Sequence, residues 1–228
     1  MDEDSKIQLK HAAISAKNVV FSSIPVCGTI LDEVLFGYRS RVKQERLNRF
    51  VEELEKYLRS MRSGDIDQEY LKSEEFGDIF ESILRRVVNT ASEEKMHRFK
   101  RILLNEMTHT YTSDFKETFL DIAFRINEDQ ILILKHFWKA KDDCGSEGNS
   151  EQRVVDDEGA ETSLKCKANL LGFDEAMYLF YVQDLISKSL LLDEAIALFG
   201  GRTKPYINLR ITPFGEEFLR FIEGSPDQ

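Results

Sequence analysis

Between Thr29 and Met61 the apolar residues Ile30, Leu31, Val34, Leu35, Tyr38, Val42, Leu47, Phe50, Val51, Leu54, Tyr57, Leu58 and Met61 recur largely at steps of three and four. That spacing gathers them on one side of a helix of 3.6 residues per turn and leaves no strand alternation to compete with it. It predicts one long amphipathic helix, opened after Pro25 and Gly28 and closed at Ser63-Gly64. A chain organised around such a helix must cover its apolar stripe with other helices.

The neighbouring segments supply them. A shorter helix is expected over residues 6 to 23, and a third from Asp67 to Val88, with Tyr70, Leu71, Phe76, Ile79, Phe80, Ile83, Leu84, Val87 and Val88 on its apolar side. Thr90-Ala91-Ser92-Glu93 has capping-box form, a hydroxyl at the N-cap and a carboxylate three residues on, and opens a fourth helix through Met96, Phe99, Ile102, Leu103 and Met107. Ser113-Asp114 is expected to cap a fifth, carrying Phe115, Phe119, Leu120, Ile122, Ala123 and Ile126. Residues 1–126 therefore read as a helical bundle of about five helices.

A chain of 228 residues with 42% hydrophobic residues is long enough for two domains, and its second half changes character. Asn127-Glu128-Asp129-Gln130 resembles another capping box, followed by a helix to Lys139 that bears the one tryptophan, Trp138. Residues 139–162 hold eight acidic residues, three basic ones and three glycines, and are expected to form a long acidic loop with a strand-like Arg153-Val154-Val155. Then come Leu164 to Leu171, a helix from Asp174 to Lys188, the apolar run Leu190 to Leu192, a Gly200-Gly201 turn, a strand over Tyr206 to Ile211 and a helix over Pro213 to Ile222.

Two stretches carry a family resemblance. Tyr181-Val182-Gln183-Asp184-Leu185-Ile186-Ser187-Lys188-Ser189-Leu190-Leu191 is similar to the third helix of winged-helix proteins entering the first wing strand, and Leu209-Arg210-Ile211-Thr212-Pro213-Phe214-Gly215-Glu216-Glu217-Phe218-Leu219 is similar to their last strand and following helix. Thr212 as N-cap with Pro213 at the first helical position gives the second stretch a physical basis. The expected fold is mainly α: an N-terminal bundle (1–126) and a C-terminal winged-helix-like α+β domain (127–228). In the first half, Ser73-Glu74-Glu75-Phe76, Ser92-Glu93-Glu94-Lys95 and Ile102-Leu103-Leu104-Asn105 resemble bacterial helical proteins such as the abortive-infection alpha family of phage defence. That resemblance implies a bacterial chain.

Three cysteines, Cys27, Cys144 and Cys166, show no CxxC spacing and read as reduced thiols of a cytosolic protein. The acidic start, MDEDSK, is unlike a secretory signal. The uncharged run Asn18 to Leu31, broken by Pro25 and Gly28, falls short of the roughly 20 residues a membrane-spanning helix needs. The cytoplasm is the expected location. A net charge of -10 opposes non-specific association with nucleic acid or anionic lipid. No HExxH, phosphate-loop or GxSxG pattern is present, so no catalytic residue, metal ligand or cofactor is assigned and the chain is expected not to be an enzyme.

Candidate contact residues divide into two sets. A winged helix that reads DNA presents a basic third helix to the major groove. Here that helix carries Asp174, Glu175 and Asp184 against Lys188, and residues 127–228 hold 19 acidic and 11 basic residues, so a protein partner or a second copy is expected, with Tyr178 and Tyr181 as exposed contacts. The alternative is a DNA-binding transcriptional regulator that places phosphate on Arg39, Lys43 and Arg46, which share a helical face, and on the wing residues Arg202 and Lys204. The bland account of the same stripe is an ion-paired helix face, Arg49 with Glu53 and Lys56 with Glu52. A further alternative is a phage-defence effector that lays Val19 to Gly37 on a membrane, although Asp32 and Glu33 disfavour anionic lipid. Glu94/His97 and Glu106/His109 have the Glu-x-x-His spacing of di-iron sites, but both pairs fall on one helix, about 18 Å apart, and cannot share a metal pair.

Overall fold

The computed structural model describes residues 29–31, 33, 34, 40–60, 67, 69–108, 113–144, 168–194, 206 and 208–224. These are mainly helical, with one two-stranded antiparallel sheet. The chain divides between Phe124 and Arg125, beside the 126/127 boundary expected from the sequence, with Ile222–Gly224 grouped with the first unit.

In the first unit the long helix expected over Thr29 to Met61 is not continuous. Residues 29–31, 33 and 34 are helical, Ser40 is not, and α1 runs over Arg41–Ser60. The backbone carbonyl of Ser40 accepts the Gln44 N–H at 3.1 Å, so the serine serves as a fresh helix start. The helix expected over Asp67 to Val88 is likewise split. Asp67 turns the chain by accepting the N–H groups of Glu69 and Tyr70, Tyr70–Lys72 is a 3-10 turn, and α2 (Glu74–Asn89) begins after Ser73, whose hydroxyl accepts the Phe76 N–H at 3.1 Å. The second break is made by short polar side chains, Asp67 and Ser73, that bond the backbone locally and offer it an alternative to helix continuation.

The cap of α3 (Glu93–Thr108) is Ser92 rather than Thr90: its hydroxyl accepts the Lys95 N–H at 3.2 Å, while Thr90 closes α2. α4 spans Lys116–Arg125, with Ser113 bonded to the Phe115 N–H ahead of it. α2 packs on α1 and α3 and is the core of the unit. Phe76, Phe80, Ile83, Leu84, Val87 and Val88 on α2 are fully enclosed, together with Leu54 on α1, Phe99 on α3 and Phe119 on α4. Each such side chain contributes roughly 1.5–3 kcal/mol on leaving water. The last carbonyls of α4 are closed from α3, where Lys95 donates to Phe124 and the buried Arg98 to Ala123.

The second unit holds α5 (Glu128–Cys144), α6 (Glu175–Ser187), β1 (Leu191–Asp193), β2 (Leu209–Ile211) and most of α7 (Pro213–Glu223). Asn127 and Gln130 form the expected capping box, Asn127 N–H to Gln130 Oε1 at 3.0 Å and Gln130 N–H to Asn127 Oδ1 at 2.9 Å. α5 continues to Cys144, so Lys139–Cys144 is helix and not loop; the first strong stop signal in the sequence is Gly145. The rest of the acidic segment, with Arg153 to Val155, lies outside the described residues. β1 pairs with β2 in the register Leu191 to Ile211, Leu192 to Arg210 and Asp193 to Leu209. The strand expected from Tyr206 is shorter, because Tyr206 has φ 71° and its N–H turns to the buried Asp193 carboxylate at 2.5 Å. Thr212 opens α7 as expected, accepting the Gly215 N–H at 2.9 Å. α5 packs on α6 and β2, and α6 on β1.

Candidate functional site

α6 is apolar on nearly every side (EAMYLFYVQDLIS), and it begins where Asp174 accepts the Met177 N–H at 3.1 Å. A helix apolar all round belongs in a core. Only one side of this one is covered. Tyr178, Tyr181, Val182 and Leu185 are buried, while Ala176, Met177, Phe180, Gln183 and Ser187 are exposed, with Phe180 at 61% and Met177 at 42%. Leu170, on the turn leading to α6, is 73% exposed.

The expected contact residues are therefore corrected. Tyr178 and Tyr181 are on the right helix but on its inner face, 0% and 7% exposed. With apolar residues on both sides, the sequence sets no phase for this helix, and a shift of one residue turns the face by about 100°. Tyr181 donates to Asp129 at 3.0 Å and stacks edge-on against Phe173. Tyr178 Oη is enclosed with no hydrogen-bond partner among the described residues, and burial pushes its hydroxyl up to about 12. Removing a buried hydroxyl that has no partner relieves a desolvation cost. Tyr178→Phe is expected to leave thermal stability unchanged or raise it by about 1 kcal/mol, whereas a loss of that size in a melting experiment would show that the hydroxyl is bonded.

α6 has acidic side chains at its two ends, Asp174 and Glu175 at its start and Asp184 near its close, the last paired with Lys188. Burial alone would raise the Asp184 carboxyl, but bonds from Lys188 and from Gln130 (2.6 Å) hold it below the usual carboxylate range. Asp129, Asp174 and Glu175 lie on or beside the same helix, and α6 itself contains no lysine or arginine. Gln183 donates to the hydroxyl of Tyr206 at 3.1 Å, which ties the helix to the turn before β2.

The basic stripe on α1 is engaged within the first unit. Lys43 donates to the Asn89 side chain at 2.7 Å and Arg46 to the Val88 carbonyl at 3.4 Å, both at the C-terminal end of α2, where cations are favoured. Arg49 pairs with Glu93 at 3.0 Å rather than with Glu53, and Glu53 pairs with Lys100 at 3.0 Å. Burial raises the Glu53 carboxyl, but Lys100, His97 and Arg49 together bring it below its ordinary value. These side chains border a cleft of about 50 Å³, lined by Arg49, Phe50, Glu53, Glu93, Met96 and His97, too small for a substrate pocket of ordinary size. Arg39, Arg202, Lys204 and His109, and most of Val19 to Gly37, lie outside the described residues.

Of the Glu-x-x-His residues, Glu94 bonds the Ser92 hydroxyl and Glu106 faces inward, and among the described residues no group of three or more His, Cys, Asp or Glu is placed to hold a metal. Nor does any described helix have the length and apolarity to cross a membrane. Glu106 instead forms a buried cluster that the sequence does not announce. Lys116 donates to Glu75 at 2.7 Å, to Glu106 at 3.1 Å and to the Tyr70 hydroxyl at 3.3 Å, and Tyr70 donates to Glu106 at 2.8 Å. The second oxygen of Glu106 has no partner among the described residues. Burial pushes the Glu106 carboxyl above the usual range, outweighing the bonds from Tyr70 and Lys116 that draw it down.

A carboxyl raised in the folded state stabilises most when protonated, and that contribution is lost as the pH rises from the ordinary value of 4.5 through the folded one. Glu106→Gln removes this titration. The stability of the wild type relative to the variant is expected to decline with pH above about 4.5, and a flat difference in urea titrations across that window would refute the assignment.

No family model matches the chain, and neither a curated protein nor a solved structure does.

Proposed function

We propose that this chain is a non-enzymatic interaction or regulatory protein of the bacterial cytosol, whose winged-helix-like second unit holds a protein partner on the outer face of α6. The order α5, α6, β1, β2, α7 supports the winged-helix-like reading, with Thr212 and Pro213 opening the last helix. The observation that carries the function is the pair Met177 and Phe180. Two large apolar side chains one turn apart stand exposed on a helix whose opposite side is already packed. Scattered single apolar residues need no explanation, but aligned ones on a helix face are what a protein partner covers. α6 contains no lysine or arginine and Lys188 at its end is bonded to Asp184, so among the described residues the helix offers phosphate no unpaired cation.

A photo-crosslinking residue placed at position 180, in the cells that make the protein, tests the reading. A discrete protein adduct is expected there and not from Val42 of α1, which is also more than half exposed. In parallel, anisotropy of a labelled random duplex at about 50 and about 200 mM salt is expected to show no salt-sensitive association. Micromolar duplex binding that collapses with salt and is lost on changing Arg39, Lys43 and Arg46 to Glu would replace this reading with the DNA-binding one.

A further inference from the structure

We infer that Glu106 is a pH-sensitive latch on the turn Asp67–Lys72: protonated, it holds the turn against α3, and ionised, it lets the turn lift away while α2 stays packed. The latch lies in the first unit and is independent of the contact face on α6. The titratable and charged groups facing Glu106 are Tyr70 on the turn, with Asp67 acting on Tyr70, Glu75 at the start of α2 and Lys116 at the start of α4. The turn is tied to α3 by the Tyr70 hydroxyl on Glu106 at 2.8 Å and by the Asp67 N–H on the Met107 carbonyl at 3.1 Å. Its other backbone bonds close on themselves, Leu71 N–H to Asp67 and Lys72 N–H to Glu69, so it can move as one piece without breaking them.

Charge counting decides which state holds the turn down. One ammonium, on Lys116, serves two carboxylates, so with both ionised the cluster carries one negative charge in excess. The Glu75 side chain is 58% exposed and that of Glu106 is 1% exposed, so water carries the first charge and the excess falls on the second. Tyr70 and Lys116 both donate to the same oxygen of Glu106, Oε2, and Oε1 has no partner among the described residues. An ionised carboxylate has acceptor sites on both oxygens, so half of its capacity is enclosed and unused. Protonation removes the excess charge and leaves Tyr70 as donor, because burial and the neighbouring carboxylates hold its hydroxyl well above its ordinary value. Asp67, Glu69 and Lys72 on the turn are exposed, whereas α3 and α4 are packed through Phe99 and Phe119, so the turn is the cover that can give.

Amide exchange of the full chain, followed residue by residue by NMR from about pH 4.5 to about pH 8 and corrected for the intrinsic exchange rate, tests the latch. Protection of the Leu71 and Lys72 amides is expected to fall as the pH rises, by about fivefold or more in all and by at most about tenfold per pH unit, the limit for one proton. Leu84 in the core of α2 is expected to stay better protected than the turn at every pH. In Glu106→Gln, which keeps the shape and the acceptor for Tyr70, protection of the turn is expected to be flat across the window. A check that needs no variant is the 13C titration of the Glu106 carboxyl, whose midpoint is expected above 4.5, at the pH where the fall in protection levels off. Protonation of Asp67, which accepts the Glu69 and Tyr70 N–H groups, would loosen the turn as the pH falls, and the opposite sign separates the two. Protection of the turn that does not fall with rising pH overturns the inference, and so does a fall that Glu106→Gln retains, since Glu75 or another group then drives it. If the turn and Leu84 are equally protected at every pH, the whole unit opens together and there is no latch. A carboxyl midpoint unrelated to the levelling-off overturns it as well.

Discussion

Replacing Lys116 with methionine is expected to lower the stability of the first unit by about 3–5 kcal/mol, the cost of removing one partner from a buried ion pair. The ammonium has three donors, and the structure gives it three acceptors, on Glu75, Glu106 and Tyr70. Its side chain is 8% exposed and that of Glu106 is 1% exposed, so solvent replaces neither charge. Without the ammonium, Glu106 keeps only the Tyr70 hydroxyl and becomes an uncompensated buried carboxylate. Urea unfolding should show a midpoint that falls while the slope is unchanged. Adding Glu106→Leu to Lys116→Met removes the stranded charge and should recover much of the loss, because a buried pair replaced by apolar groups is often near neutral. A single-variant cost below about 1 kcal/mol would mean that water reaches the cluster and the pair behaves as a surface one.

Gly215→Ala should destabilise the second unit by about 2–3 kcal/mol, against the ordinary preference of helices for alanine. Gly215 lies in the first turn of α7, and a Cβ there would stand 2.3 Å from the Leu190 carbonyl oxygen and 3.0 Å from Ile211. The nearest obstacle is backbone, which cannot swing aside as a side-chain tip can. That carbonyl also accepts the Thr212 N–H at 3.1 Å, so pushing α7 away from the end of β1 breaks the contact that seats the helix. Alanine in an exposed helical position would gain about 1 kcal/mol over glycine, and the clash is expected to exceed it. Thermal melts followed by far-UV circular dichroism and by Trp138 emission measure the change. A variant as stable as the wild type would mean that α7 shifts without cost.

Much of the second unit was legible because its signals are local. Asn127 with Gln130 and Thr212 with Pro213 act through backbone groups within three residues and take the roles their patterns predict, and the helix expected from Asp174 opens there, where its carboxylate accepts the Met177 N–H. The breaks at Ser40 and Ser73 were missed for a related reason. Apolar spacing runs through both serines without a change of phase; at Ser73 the side-chain bond to the Phe76 N–H marks the start, and at Ser40 the non-helical backbone does.

The helix that carries the candidate face was legible, but not which of its sides is outward. Composition marked α6 as apolar and acidic, which is the ground for proposing a protein partner rather than DNA. Its orientation is decided by Asp129, Phe173 and the β1 edge, which take Tyr178 and Tyr181 inward and leave Met177 and Phe180 outside. Glu106 and Lys116 show the same limit in charge. Ten positions apart on successive helices, they resemble surface residues until α2, α3 and α4 enclose them beside Tyr70.

By itself the sequence determined where the helices after Asn127, Asp174 and Thr212 start, which stretches are amphipathic, and that the second half is acidic, because those properties depend on residues within a turn or two of one another. Tertiary structure alone decided which side of α6 meets solvent, that Lys43 and Arg46 close the end of α2, and that a lysine and a glutamate share the core of the first unit. Each of these depends on groups brought together from distant parts of the chain, whose desolvation and pairing exist only once the elements pack.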